Sequence, residues 1–518
     1  VNKNGLSFRK DPNLILYVIL AISVILRLPN LNESIWFDEL GYATSAMLKN
    51  LSLLWNTILL DRVAPFYRVF MFFWIRLFGD AEISIRIPSL IAGIFSIYLS
   101  YRIALKFTNR KVALLTAFLL CVSPVHIWYS QEAAPYSMLL FLFLSTIFLY
   151  YKLTESGSGG IWYLIYFLSL LFTVFIHYSA FIYLFLFIGM CLFKIDEIKR
   201  KILGLNLIVL ALFLLYLFIK IRFGDFQHGA FYLRSFTPFE LWMLFFNWFI
   251  FGNSLWNLKP YTSRINDIFS NPVIFYSQVF FFIIFIKGLM SPLKERRRIE
   301  IILYLFALPI LMLGLTISRF KQIYIERTIF MILPFFYIVL ASGIDEFKNR
   351  YIGRMCIITF FIFSSIALIE YERKTDEWTV YRPNPDWRAC AGYLESEIKN
   401  SGEPLQIGAT SPASVLIYYG LWFKDYTQLA PNLWFESRSG TDTQAKPRLL
   451  VCYFENSNIK DAYEILSAKG PRIFYLIEDI YWSENFDNLL KVLTHDPRFS
   501  FLESRSFRSL KVFKFRII

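Results

Sequence analysis

Residues 161–193 read IWYLIYFLSLLFTVFIHYSAFIYLFLFIGMCLF, without a single Asp, Glu, Lys or Arg. One bilayer crossing takes about 17–25 apolar residues, so this run is too long for one and suits two short ones. Its one polar interruption, His177-Tyr178-Ser179, is where a hairpin of two membrane helices would turn. Similar stretches lie at 13–29, 84–101, 112–129, 135–151, 202–220, 273–286, 301–318, 328–344 and 355–369. The reading is a multi-pass α-helical integral membrane protein with about eleven spans.

Composition agrees with this reading. The 518 residues are 56% hydrophobic, 19% aromatic and only 18% charged, against roughly 45–50% apolar and 25% charged in soluble domains. A disordered chain, a collagen-like chain and an ordinary cytosolic enzyme are excluded. The first span follows Lys3, Arg9 and Lys10 as a signal-peptide core would. Pro29-Asn30-Leu31-Asn32 stands where a small-x-small cleavage site belongs, so the span reads as a retained helix.

The net charge is +14, and its location decides its meaning. Alternate connections, 1–12, 102–111, 152–160, 194–201, 287–300 and 345–354, hold 20 Lys/Arg and 8 Asp/Glu. Basic connections face the cytoplasm. Residues 371–518 are neutral, with 19 basic and 19 acidic side chains. The expected protein has a cytoplasmic N-terminus, spans the plasma (inner) membrane and carries an extracytoplasmic tail. Without a basic face on a soluble domain, nucleic acid is not an expected partner.

Two domains are expected: a membrane module over 1–370 and an external α/β domain over 371–518. In the tail, helical patterns at 386–399, 459–468 and 484–492 alternate with strand-like runs at 405–409, 448–454 and 472–477. That alternation suggests a largely parallel sheet. No glycine-rich phosphate loop opens these helices. The five cysteines form no CxxC pair, which leaves zinc unsupported; Cys390 and Cys452 are left as a pair that spacing neither makes nor forbids.

Candidate chemistry lies in the connections on the other side. Trp36-Phe37-Asp38-Glu39 sets two acids beside aromatics, suited to a general base or a cation site; the alternative is a pair of acids favoured by a helix dipole. Phe66–Phe78 is aromatic but carries Arg68 and Arg76, which fits a helix lying in the interface. Glu132, in the turn between two spans, either faces water, a cation or a partner or caps the next helix. His177 is either structural or a ligand. Arg327 suits a bidentate phosphate contact, or else pairs with Glu326 or snorkels.

These segments together resemble a family. Trp36-Phe37-Asp38-Glu39, Pro65-Phe66-Tyr67, Trp74-Ile75-Arg76-Leu77-Phe78-Gly79, Ile85-Arg86-Ile87-Pro88-Ser89 and the run from Ser123 to Tyr136 are similar to the GT-C fold membrane glycosyltransferases that use polyprenyl-phosphate sugars. The branch is the one containing protein O-mannosyltransferases, the lipid A aminoarabinose transferase and the rhizobial lipopolysaccharide transferases. His177-Tyr178, Arg327 with Leu333-Pro334-Phe335, and Asp386-Trp387-Arg388-Ala389 add to it. The resemblance is dense over about 30–140 and thin afterwards.

The resemblance implies a GT-C module with a long helical first external loop, and transfer of a sugar from a lipid phosphate to a lipid, polysaccharide or protein acceptor. It implies that Asp38, with Glu39 beside it, serves catalysis, Asp38 as the base. Arg62, Gln131, Glu132, Tyr136, His177 and Arg327 would serve the donor phosphate. The lipid-phosphate sugar is the co-substrate, and Glu132 is the best ligand if a divalent cation takes part. Inversion in a single displacement is expected. The chain departs from the pattern at Val63-Ala64-Pro65, where relatives carry His or Lys, with Arg62 a nearby substitute. It departs again at Ala134, where relatives often carry Arg. A transporter or flippase of lipid-linked glycans and an inactive assembly scaffold are the competing readings.

Overall fold

Each apolar stretch coincides with helical structure in the computed structural model. The structure describes residues 13–48, 50–60, 64–156, 159–193, 195–223, 246, 248–250, 272–291, 295–317, 326–373, 384–401, 405–409, 415–419, 421, 423–425, 449–453, 473–479 and 486–518. α1 (Leu14–Ile25) is followed by α2 (Phe37–Ala43), a 3₁₀ turn at Thr44–Met47, α3 (Leu51–Leu60) and α4 (Pro65–Phe78). Next come α5 (Glu82–Phe107), α6 (Arg110–Val122), α7 (Pro124–Ser130) and α8 (Pro135–Ser156). The 161–193 hairpin is α9 (Gly160–Ile176), a 3₁₀ turn at Tyr178–Ala180 and α10 (Phe181–Leu192). α11 (Glu197–Phe223), α12 (Pro272–Leu289) and α13 (Glu295–Ile317) follow. A 3₁₀ segment, Glu326–Ile332, then leads into α14 (Leu333–Asp345) and α15 (Arg350–Arg373).

Among the described residues four helices are long and apolar enough to cross a membrane alone: Glu82–Phe107, Pro135–Glu155, Glu197–Phe223 and Arg350–Arg373. The stretch read as one span at 112–129 is broken. α6 and α7 meet at 62° because Pro124 cannot donate a helical hydrogen bond, while the Ser123 hydroxyl accepts the His126 N–H at 3.4 Å.

The chain divides into two compact units. The first holds residues 1–31, 57–67 and 86–381; the second holds 32–56, 68–85 and 382–518. In the first, α6 packs against α1 and α14, α8 against α9, α10 against α11, and α12 against α14. From Leu333 to Ile344 every residue of α14 is buried, as expected of a helix apolar all round. Gly288 of α12 and Gly343 of α14 face one another so closely that a Cβ on either would run into the other helix's backbone. Small residues permit such backbone approach between membrane helices. Leu14, Ile15 and Val18 of α1 and Leu214, Leu215 and Phe218 of α11 are exposed, and apolar surface on that scale suits lipid.

The second unit adds α16 (Trp387–Ser401), β1 (Leu405–Ala409), α17 (Val415–Tyr418), β2 (Phe423–Asp425), β3 (Leu449–Tyr453), β4 (Ile473–Asp479), α18 (Phe486–His495), β5 (Phe499–Phe507) and β6 (Leu510–Ile517). The sheet order is β2-β3-β1-β4-β6-β5. The first four strands are parallel, and β6 joins β4 and β5 antiparallel. Phe474, Leu476, Phe513 and Phe515 pack with Leu493 of α18 and Phe499. The helical pattern at 459–468 lies outside the described residues. Cys390 is a free, buried thiol.

Candidate functional site

Asp38 and Glu39 occupy the first turn of α2, after an extended Trp36 (φ −118°, ψ 177°). Glu39 is fully buried, and its carboxylate accepts the Trp36 N–H at 3.3 Å, closing the helix start. Asp38 keeps partial exposure. Two arginines of α4 shape this loop within the second unit. Buried Arg68 donates to the Gly41 carbonyl and to Ser45 Oγ, and its guanidinium stands 5.7 Å from the Tyr42 ring. Arg76 donates to the Leu48 carbonyl at 2.5 Å and stacks on Phe72. The aromatic helix therefore anchors the acidic one through backbone carbonyls. Sequence spacing does not reveal that.

The other candidates belong to the first unit. Gln131 ends α7 with both ends of its amide engaged, donating to the Pro29 carbonyl and accepting the Tyr371 hydroxyl at 2.8 Å. That geometry makes Gln131 a brace between the end of α1 and α15. Glu132 follows, only 3% exposed, in a tight turn where the Ala134 N–H reaches the Glu132 carbonyl at 2.8 Å. Ser89 of α5 donates to the Ala134 carbonyl at 3.3 Å, so the turn is held from a second helix.

Three candidates meet. The Tyr136 ring, at the start of α8, lies 5.9 Å from the His177 ring and 5.9 Å from the Arg327 guanidinium. Tyr129 packs on the same ring at 4.8 Å. His177 Nδ1 pairs with Ser179 Oγ at 2.7 Å and accepts the Ser179 N–H, which fixes its ring. At 5.9 Å the Arg327 guanidinium is at the outer limit of a cation–π contact with Tyr136. Arg62 lies outside the described residues. Among the described residues no three His, Cys, Asp or Glu side chains gather to hold a metal ion.

Beneath this group lies a buried network absent from the sequence reading. Arg27, wholly buried after α1, donates to the carbonyls of Ser23 (2.9 Å), Cys121 (3.1 Å) and Leu120 (3.2 Å), and to Ser130 Oγ (3.2 Å). Its charge sits on the carbonyl end of α6, where the helix dipole is negative. Arg27 also reaches His126 Nδ1 at 2.7 Å. Since arginine only donates, that nitrogen is the acceptor, and Nε2–H donates to Ser96 Oγ at 2.8 Å. Ser96 then donates to the Gly93 carbonyl at 2.7 Å. The network holds the α6–α7 break, and Gln131 and Glu132 follow at the far end of α7.

Sequence reasoning also passed over Lys220. It is buried on α11, donates to the Ile58 carbonyl (3.2 Å) and Tyr216 Oη (3.4 Å), and stands 5.7 Å from the Tyr178 ring. Its signal was there: an ionisable residue ending an apolar helix is a functional candidate by default.

Over residues 62–220 the chain matches the family described as dolichyl-phosphate-mannose-protein mannosyltransferase. Among solved structures, ArnT from Cupriavidus metallidurans in the apo state is similar at 11% identity and a TM-score of 0.55, covering 97% of both chains. The same protein bound to undecaprenyl phosphate gives 12%, 0.55 and the same coverage. At this identity the likeness is one of fold. No curated protein sequence matches.

Proposed function

We propose that the chain transfers a sugar from a polyprenyl-phosphate donor to a cell-envelope acceptor at the outer face of a bacterial membrane. The observation that carries this reading is the Tyr136–His177–Arg327 group, a cation seated on an aromatic face at the head of a long apolar helix. A lipid phosphate needs both parts, an electropositive group for its head and apolar helices for its tail. The family match over 62–220, and the undecaprenyl phosphate bound to ArnT, support the donor class.

In the proposed step the Asp38 carboxylate takes the proton of the acceptor hydroxyl or amine. The freed electron pair attacks the anomeric carbon as the carbon–oxygen bond to phosphate breaks. Polyprenyl phosphate leaves with that bond's electrons, and Arg327 stabilises the charge growing on it. A single displacement inverts the anomeric centre. The catalytic module is read over residues 1–370 and the extracytoplasmic domain over 371–518, the compact unit of the latter also taking in residues 32–56 and 68–85; the basic connections support this orientation.

The test is sugar transfer by the purified protein, supplied with the polyprenyl-phosphate-sugar fraction from cells that lack it. Asp38→Asn should lower turnover by about 10²-fold or more. Full turnover in a folded Asp38→Asn protein would remove Asp38 as the base. Lipid flux without covalent product would point to a transporter. An unchanged envelope glycan in cells carrying Asp38→Asn with Glu132→Gln would point to a scaffold.

A further inference from the structure

We propose that the C-terminal α/β domain is the positioning element of the Asp38 segment, with Tyr419 and Arg388 as its grip. The proposal rests on the reading of Asp38 as the acceptor base, and every contact below lies within the second unit.

Residues 32–36 form neither helix nor strand, yet Ser34 is 3% and Ile35 0% exposed. Buried backbone outside regular structure must find hydrogen-bond partners elsewhere. Here the partners come from the far end of the sequence. The Tyr419 hydroxyl accepts the Ile35 N–H at 3.0 Å and bonds Ser34 Oγ at 2.9 Å and Glu82 Oε1 at 3.3 Å. A phenol has one proton and two lone pairs, so all three bonds are satisfied when Ile35 and Ser34 donate and Glu82 accepts. Ser34 Oγ in turn accepts the Arg388 N–H at 3.2 Å.

The Arg388 side chain completes the grip. Its Nε donates to Glu82 Oε1 at 2.9 Å and its Nη2 to the Asn32 carbonyl at 2.9 Å. Asn384 donates to the Ser34 carbonyl at 3.1 Å, and Arg508 donates to the Asn384 carbonyl and pairs with Glu33 at 3.4 Å. Tyr418 donates to the Asp80 carbonyl, and α17 packs directly on α2. Burial, chiefly, pushes the Tyr419 phenol above its ordinary range.

Asp38 stands three residues beyond Ile35, in the first turn of α2, so a shift of Ile35 is carried directly to its carboxylate. A misplacement of about 1 Å at a reacting group can cost about 10²-fold in rate. A domain with no glycine-rich loop of its own thereby gains a function: it sets where the base stands.

The experiment uses the full-length protein in detergent and two readouts. Hydrogen–deuterium exchange needs no substrate: Tyr419→Phe, which removes one oxygen, should raise exchange of the 32–40 peptide about 10-fold while peptides of α8 and β4 stay unchanged. Turnover with the lipid-donor fraction should show kcat down about 10-fold and KM for the donor unchanged. Arg388→Ala should do the same, and Arg388→Lys should recover part of the loss. Unchanged exchange, or raised exchange with unchanged kcat, would overturn the proposal alone. No transfer by the unsubstituted protein, or full turnover by Asp38→Asn, would overturn the reading beneath it.

Discussion

Replacing Gly343 by alanine tests the helix crossing at the centre of the first unit. A methyl carbon there would stand 2.9 Å from Gly288 N and 3.0 Å from Ile284 C, and would overlap the Ile284 carbonyl oxygen. Carbon atoms in contact prefer about 3.5–4.0 Å, so α12 and α14 must part by about 1 Å. Backbone atoms cannot swing aside as a side-chain tip does. Overpacking of this kind costs about 1–3 kcal/mol, and parting also removes dispersion contacts along α14, whose residues from Leu333 to Ile344 are all buried. Against this, alanine gains about 1 kcal/mol over glycine in helix propensity. Those two terms leave a loss of about 0–2 kcal/mol, and the lost dispersion contacts move it toward the upper end. Gly204 of α11 supplies the control, because nothing lies within 4 Å of its Cβ position. Gly204→Ala keeps the propensity gain without the overlap and should be neutral or stabilising. The assay is the thermal midpoint of the purified protein in one detergent, with Gly288→Ala as a second probe of the crossing. The double substitution should cost less than the sum of the singles, since one parting accommodates both methyls. A Gly343→Ala protein as stable as Gly204→Ala would refute the close crossing.

The remaining expectations concern charge. Arg27→Met strands the Cys121 carbonyl and His126 Nδ1 in an apolar interior, at about 1–3 kcal/mol for each unsatisfied group, and leaves the Leu120 carbonyl with the Ser123 N–H at 3.4 Å. Its thermal midpoint should fall far below that of Arg354→Met, a surface change on α15; equal midpoints would remove Arg27 as the holder of the α6–α7 break. In the second unit, burial would raise the Glu397 pKa, but bonds from Lys514 (2.6 Å) and Tyr475 (2.5 Å) outweigh it and hold the carboxyl below its ordinary value. Its stabilisation is therefore complete above the unfolded-chain value of about 4.3 and is lost as pH falls through the lower folded value. Burial opposes the Lys514 charge, yet Glu397 and Glu503 hold its pKa above the ordinary value, so its share is lost only as pH rises past about 10.4. The thermal midpoint should be flat between those limits and drop below about pH 4. Glu397→Gln should lower the plateau and flatten the acid limb, and an unchanged acid limb would contradict the ion pair.

The parts legible in advance were those with a local cause. Apolar run length located the long described helices of the first unit, because a segment that must bury its backbone polar groups in lipid has the helix as its answer, but it did not show the break that splits 112–129 into α6 and α7. Strands β1, β3 and β4 followed from short apolar runs between helical patterns. The β5–β6 hairpin escaped notice although Leu510–Ile517 alternates. Its turn, Arg508-Ser509, lacks the Gly or Asn that usually marks a hairpin, and Ser509 adopts φ 59° without either. Arg27 and His126 were illegible for a different reason. Their bonds join positions up to 103 residues apart, and no window of sequence contains both partners.

The sequence by itself determined the class of the protein: how many apolar segments there are, which connections carry positive charge, and which acids and cations lie between spans. Those are one-dimensional properties, since burial in lipid and charge bias act on each segment separately. Only the tertiary structure decided what each polar group does. It assigned Glu39 to closing its own helix and Gln131 to bracing α1 and α15, set Arg327 on Tyr136 beside His177, and grouped residues 32–56 and 68–85 with the C-terminal domain. A buried polar group takes whichever partner the fold brings within about 3 Å, and that choice is made by packing between distant segments rather than by neighbours along the chain.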